Sequence, residues 1–132
     1  MTALKPTEAV IRWALVTGAL AGLLAVMAGA FGAHGLRHVV SERGLEVFQT
    51  AVSYQMYHAL VLVVASLMPA LGLSQRLLGV ACGFWLAGIA LFSGSLYLLV
   101  LSGHHWLGPV TPIGGVCFMI GWALLVAAAL KK

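Results

Sequence analysis

The chain has 132 residues, 62% of them hydrophobic and 8% charged, with a formal net charge of +4. Soluble domains devote roughly a quarter of their residues to charge, so this composition excludes an ordinary soluble fold and indicates an integral membrane protein. The positive charge then marks topology rather than affinity for nucleic acid: the expected partner is the lipid bilayer, with no nucleic acid.

Charged residues stand at the start of the chain (Lys5, Glu8, Arg12), in one cluster (Arg37, Glu42, Arg43, Glu46), at Arg76 and at the end (Lys131, Lys132). They divide the sequence into four apolar blocks, none with the charged face that a soluble helix requires. No linker divides the chain, so the expected fold is a single membrane domain over 1–132, an all-α bundle of four transmembrane helices.

The first span is expected over 13–33. Gly18, Gly22, Ala25, Gly29 and Gly32 alternate four and three apart and so share one helix face, which lets a second helix approach closely. Basic residues before the apolar run and Ala28-Gly-Ala30 also resemble a signal peptide with its cleavage site; the segment is expected to be retained as a span.

Ser41 before Glu42 suits a helix N-cap, and the second helix is expected from about 42 to Met68. An amphipathic extension covers 42–46 and the span itself 47–68. Pro69 and Gly72 end it. Glu42, Glu46, Gln49, Thr50, Ser53 and Tyr57 fall in one narrow sector of this helix. His58 follows near mid-membrane, and Ala59-Leu-Val-Leu-Val-Val-Ala65 is apolar on all sides. Tyr54, Gln55, Tyr57 and His58 therefore need hydrogen-bonding partners, because an unsatisfied polar group inside a bilayer is costly.

The third span is expected over 77–101, with a small-residue face of Gly79, Gly83, Ala87, Ala90 and Gly94. The fourth covers 113–130, with Gly114, Cys117, Gly121 and Ala128. These glycine faces are assigned to helix packing. Thr111 with Pro112 reads as N-cap and first helical position. Cys82 and Cys117 enter the membrane from opposite sides and are expected to be free thiols.

Lys5, Arg12, Arg76, Lys131 and Lys132 would lie on one side of such a bundle, against Arg37 and Arg43 on the other. Five against two favours both termini inside. His34, Tyr54, Gln55, Ser93, Ser95, Tyr97 and Thr111 then share the outer half, where they could line one vestibule together with Gln49, Tyr57 and His58.

Two readings of His58 stand: a hydrogen-bonded helix clamp, or an active intramembrane group. His34, His38, His104 and His105 suggest a metal site only by number, since their spacing matches no ligand motif. Haem between two histidines lacks a second deep imidazole. A proton-coupled carrier would ordinarily keep a carboxylate within a span, and here only His58 could titrate there. No nucleophilic triad is recognisable. No metal, no cofactor and no catalytic residue are assigned.

Gly29-Ala-Phe-Gly-Ala-His-Gly-Leu36, Thr50-Ala-Val-Ser-Tyr-Gln-Met-Tyr-His-Ala-Leu60, Leu91-Phe-Ser-Gly-Ser-Leu-Tyr97, Thr111-Pro-Ile-Gly-Gly115 and Gly121-Trp122 together resemble the bacterial inner-membrane family called domain of unknown function 423. That family is similar to eukaryotic transmembrane protein 256. The five blocks run in order over nearly the whole chain. The resemblance implies a small multi-span inner-membrane protein and supplies no catalytic role; its blocks fall on His34, Tyr54, Gln55, His58, Ser93, Ser95, Tyr97 and Thr111.

The sequence thus leads to a multi-pass protein of the bacterial inner membrane, expected to be a non-catalytic binding or assembly component with a polar outer-half pocket. The alternative is a small carrier for a polar or amphipathic solute, with His58 as gate or proton sensor. The expected ligand is a lipid or small amphipathic molecule. Small faces on three helices exceed the needs of one bundle, which points to a homodimer or a membrane-protein partner.

Overall fold

A computed structural model describes residues 9–131; Lys5, Glu8 and Lys132, which enter the charge count above, lie outside them. The described residues form helices and turns with no strand. They contain four helical stretches long and apolar enough to cross a membrane, Arg12–His38, Glu42–Leu71, Gln75–Ser102 and His105–Leu130.

Helix α1 runs Arg12–His34 and α2 Glu42–Leu67, joined through a 3-10 turn at Leu36–His38. Ser41 caps α2, its hydroxyl accepting from the Gly44 N–H at 3.0 Å. Pro69 shapes the end of the span as a 3-10 turn at Met68–Leu71. Gly72 then reverses the chain at φ 93°, a left-handed conformation that glycine adopts without steric cost.

The third span is not one regular helix. It comprises α3 (Gln75–Gly88), a π-helical segment (Ile89–Ser93) and α4 (Gly94–Ser102). Gly103, at φ 72°, then leads into a 3-10 turn at His105–Leu107.

Helix α5 spans Val110–Leu130 and begins earlier than Thr111-Pro112 suggests, with Pro109 in the cap position. Proline fits the start of a helix because it lacks an N–H that would go unpaired there and its φ is already near the helical value. Thr111 is consequently inside the helix, free to use its hydroxyl elsewhere.

Packing follows the small residues on α1. A Cβ on Gly18 would lie 2.8 Å from Leu62 Cβ and 3.1 Å from the Ala59 carbonyl, and one on Gly32 would lie 3.0 Å from Phe48. Gly22 faces Ala59 and Gly29 faces Val52. This whole face therefore lies along α2, which is how membrane helices gain contact without a hydrophobic driving force between them.

Helix α3 packs chiefly on α5, and α2 also borders α3, the π segment and α4. In the half of the bundle toward the 68–74 connection, Leu62, Leu78, Cys82 and Trp85 are fully enclosed. The backbone N–H of Ile11 donates to the Ser66 carbonyl at 2.9 Å, tying the approach to α1 onto the end of α2.

Candidate functional site

Apart from Ser66, which donates to the Val63 carbonyl of its own helix, the buried polar side chains occupy the opposite half, toward the 36–41 and 103–109 connections. His58 projects from α2 toward α5. The Trp122 indole nitrogen lies 3.1 Å from His58 Nε2. An indole N–H can only donate, so Nε2 accepts and Nδ1 carries the proton, which it donates to the Tyr54 carbonyl at 2.7 Å. The imidazole also stacks on Phe118, with centroids 3.6 Å apart and planes 8° from parallel. Trp85 packs against the Trp122 ring edge-on at 5.3 Å; its own indole nitrogen is buried without a hydrogen-bond acceptor among the described residues.

Gln55, one helical turn back, ties three helices together. Its Nε2 donates to the Ala21 carbonyl of α1 at 2.8 Å, and its Oε1 accepts from the Tyr97 hydroxyl of α4 at 2.6 Å. Ser93 and Ser95 are two residues apart and so point to opposite sides of their helix. Ser93 donates to the Ala51 carbonyl of α2 at 2.7 Å, while Ser95 lies 2.6 Å from the Thr111 hydroxyl of α5.

The expected single vestibule is therefore replaced by separate interhelical clamps. Two open grooves divide some of the remaining groups. One, of about 340 Å³, runs along α2 and is lined by Glu46, Gln49, Thr50, Ser53, Tyr54 and Tyr57. The other, of about 370 Å³, opens between α1, α2 and the third span, with Thr17, Gln55 and Tyr97 in a mainly apolar wall. His58, Ser93, Ser95 and Thr111 line neither. His34 is exposed at the last turn of α1. The physical reason is economy of satisfaction: Gln55, His58, Ser93, Ser95, Tyr97 and Thr111 take backbone carbonyls or side chains within reach on their own or the facing helix, and little is left to converge on a cavity.

The glycines divide similarly. Gly114 sits against the backbone of Leu91 and Phe92 in the π segment, and Gly121 against the Trp85 indole; a Cβ at either position would collide. Among the described residues, Gly79 and Gly83, expected to pack, have nothing within 4 Å of an added Cβ, and Gly94 meets only the Ile89 carbonyl at 3.9 Å. The face of α3 turned inward is Leu78, Ala81, Cys82, Trp85 and Gly88. Trp85 and Leu78 gain more dispersion contact from enclosure than two glycines do, and this turns Gly79 and Gly83 outward.

Gly88 meets the Phe118 ring; neither of these residues was singled out from the sequence, and Trp122 entered only through the family resemblance, not as a site residue. Trp122 carried a usable signal, a polar indole N–H within an apolar span. Cys82 and Cys117 are both free thiols. Among the described residues no group of three His, Cys, Asp or Glu side chains could hold a metal ion.

Comparison with known proteins agrees with the sequence resemblance. The profile of the family described as "Protein of unknown function (DUF423)" matches residues 28–115. The chain is 47% identical over 122 residues to the UPF0382 membrane protein YwdK of Bacillus subtilis (strain 168), covering 89% of this chain and 95% of that protein. It is 45% identical over 119 residues to the UPF0382 membrane protein SAB0533 of Staphylococcus aureus (strain bovine RF122 / ET3-1), covering 89% and 94%. No solved structure matches the chain. With its four membrane-length helices, the extent of that profile match and these identities, the chain belongs to the DUF423 family of membrane proteins.

Proposed function

We propose that this protein is a non-catalytic assembly component of the bacterial inner membrane that receives a further transmembrane helix along α2. The observation that carries this reading is the outward polar stripe. Gln49 and Tyr57 are exposed and Ser53 half-exposed, and none of the three side chains makes a hydrogen bond among the described residues. At 1.5 Å per residue, Tyr57 lies about 22 Å along α2 from Glu42, well inside the span. Polar groups at that depth ordinarily face protein rather than lipid.

The internal polar groups favour the same view. Gln55, His58, Ser93, Ser95, Tyr97 and Thr111 spend their hydrogen bonds holding helices together, and both His58 nitrogens are engaged in the neutral ring. A carrier gated by His58 would have to break the Trp122 contact on each proton uptake, because a protonated Nε2 presents a donor to a donor.

A photoreactive residue at Ser53, activated in native membranes, tests the reading. A discrete protein adduct is expected there and none at Leu23, which is exposed on α1. Adducts with lipid alone at both positions would end it.

A second reading rests on the lateral groove between α1, α2 and the third span. Its apolar walls and the Gln55–Tyr97 pair suit a lipid or amphipathic molecule with one hydrogen-bonding group. Native mass spectrometry in mild detergent would show a defined adduct that Gly94→Leu, which narrows this groove, removes.

A further inference from the structure

We infer that the helix received along α2 is the α2 of a second copy of this chain, in parallel, about a twofold axis normal to the membrane. This inference rests on the docking reading above and names its partner. Thr50, Ser53, Tyr57, Leu60, Val64 and Leu67 are spaced three, four, three, four and three apart. That is the seven-residue rhythm that keeps a seam facing a partner helix in a left-handed pair. Tyr57 is 59%, Leu60 58% and Val64 52% exposed, so the seam runs open along most of the span. The opposite face of α2 is already occupied by α1 and the third span.

The seam is polar in one half and apolar in the other, and this restricts what can cover it. A partner must be polar and apolar at the same depths. A second copy meets that condition by construction: all copies insert in one orientation, and a twofold axis along the membrane normal sets each residue beside its own equivalent. The Ser53 and Tyr57 hydroxyls and the Gln49 amide each both donate and accept, so each can pair with itself across the axis, while Thr50 gives its proton to the Glu46 carbonyl at 3.0 Å and keeps only its accepting lone pairs. No charge faces a like charge within the span. Glu46, at the mouth of the seam, is held by Arg43 at 3.2 Å, which lowers the repulsion between two such carboxylates. An antiparallel copy would lay Leu60 and Val64 against Thr50 and Ser53, and is excluded by the same logic.

The test begins with the unaltered protein, whose native mass in mild detergent is expected to be that of two chains. Single cysteines are then placed at Ser53, Val64 and, off the seam, Leu23, with Cys82 and Cys117 replaced by alanine, and oxidised in native membranes. A disulfide requires Cα atoms within roughly 4.4 to 6.8 Å. Covalent dimer is expected from Ser53→Cys and Val64→Cys and not from Leu23→Cys. If the cysteine-free background does not fold, the native mass alone decides, and a single-chain mass overturns the inference. A single-chain mass together with a photo-adduct at Ser53 to a different protein would retire the second copy and leave the docking reading standing. A single-chain mass with lipid adducts only would remove both.

Discussion

Trp122 and His58 meet 64 positions apart in sequence through one hydrogen bond of 3.1 Å, and that contact fixes which imidazole nitrogen carries the proton. The ring is thereby held between the Tyr54 carbonyl below it and Phe118 against its face. Replacing Trp122 by Phe keeps an aromatic ring and leaves Nε2 unpaired. The expected cost is about 1 kcal/mol, read as a shift in detergent-induced unfolding, with His58→Ala costing more because it also opens a gap beside Phe118. Equal stability of Trp122→Phe and the parent would mean that the bond contributes nothing.

Gln55 and Tyr97 form the second clamp, and their interdependence can be measured. Tyr97→Phe removes one hydroxyl, and Gln55→Leu removes that bond together with the one to the Ala21 carbonyl. A double-mutant cycle should return a coupling of about 0.5 to 1.5 kcal/mol. Strict additivity would place the two side chains out of contact.

The glycines divide into two classes with opposite expectations. Gly114→Ala drives a methyl into the backbone of the π segment and should destabilise by about 1 to 3 kcal/mol, the usual range for overpacking. Gly79→Ala and Gly83→Ala meet open space and should be neutral, or stabilising by up to about 1 kcal/mol through helix propensity. Unfolding followed by the intrinsic fluorescence of the four tryptophans distinguishes the two. Loss of stability at Gly79 would show that another helix covers that face.

The distribution of Lys and Arg predicts that both termini lie inside, and labelling from one side tests it. A membrane-impermeant thiol reagent applied to spheroplasts should label cysteines placed at His38 and His104, and reach one placed at Leu71 only after the membrane is opened. The reverse pattern would invert the bundle.

Much of this arrangement was legible as residue types and little of it as pairings. Gln55 and His58 stand out because polar side chains are rare in an apolar run, so their need for partners could be read directly. The partners could not, because two of them are backbone carbonyls, Ala21 and Tyr54, that leave no mark in the sequence. Helix rotation was the other hidden variable. On α1 the glycines alternate with bulky Leu23, Leu24 and Met27, so only one face could pack; on α3 the glycines competed with Trp85, and size prevailed. The π segment at Ile89–Ser93 contains no proline and only ordinary apolar residues and serine, so residue types give no sign of it, and the glycine that lies against its backbone, Gly114, is on another helix.

The reliance of α1 on α2 bears on how the protein is made. Because the glycine face of α1 lies along α2, and α1 touches the third span only slightly, these first two spans can close on each other as a hairpin while the rest of the chain is still being synthesised. The two helices follow one another in sequence across a short connection, 35–41, which keeps the entropy of closure small. The later spans would then meet a surface that presents the Ala51 carbonyl which Ser93 binds in the finished fold, with α2 as the template for the rest of the bundle.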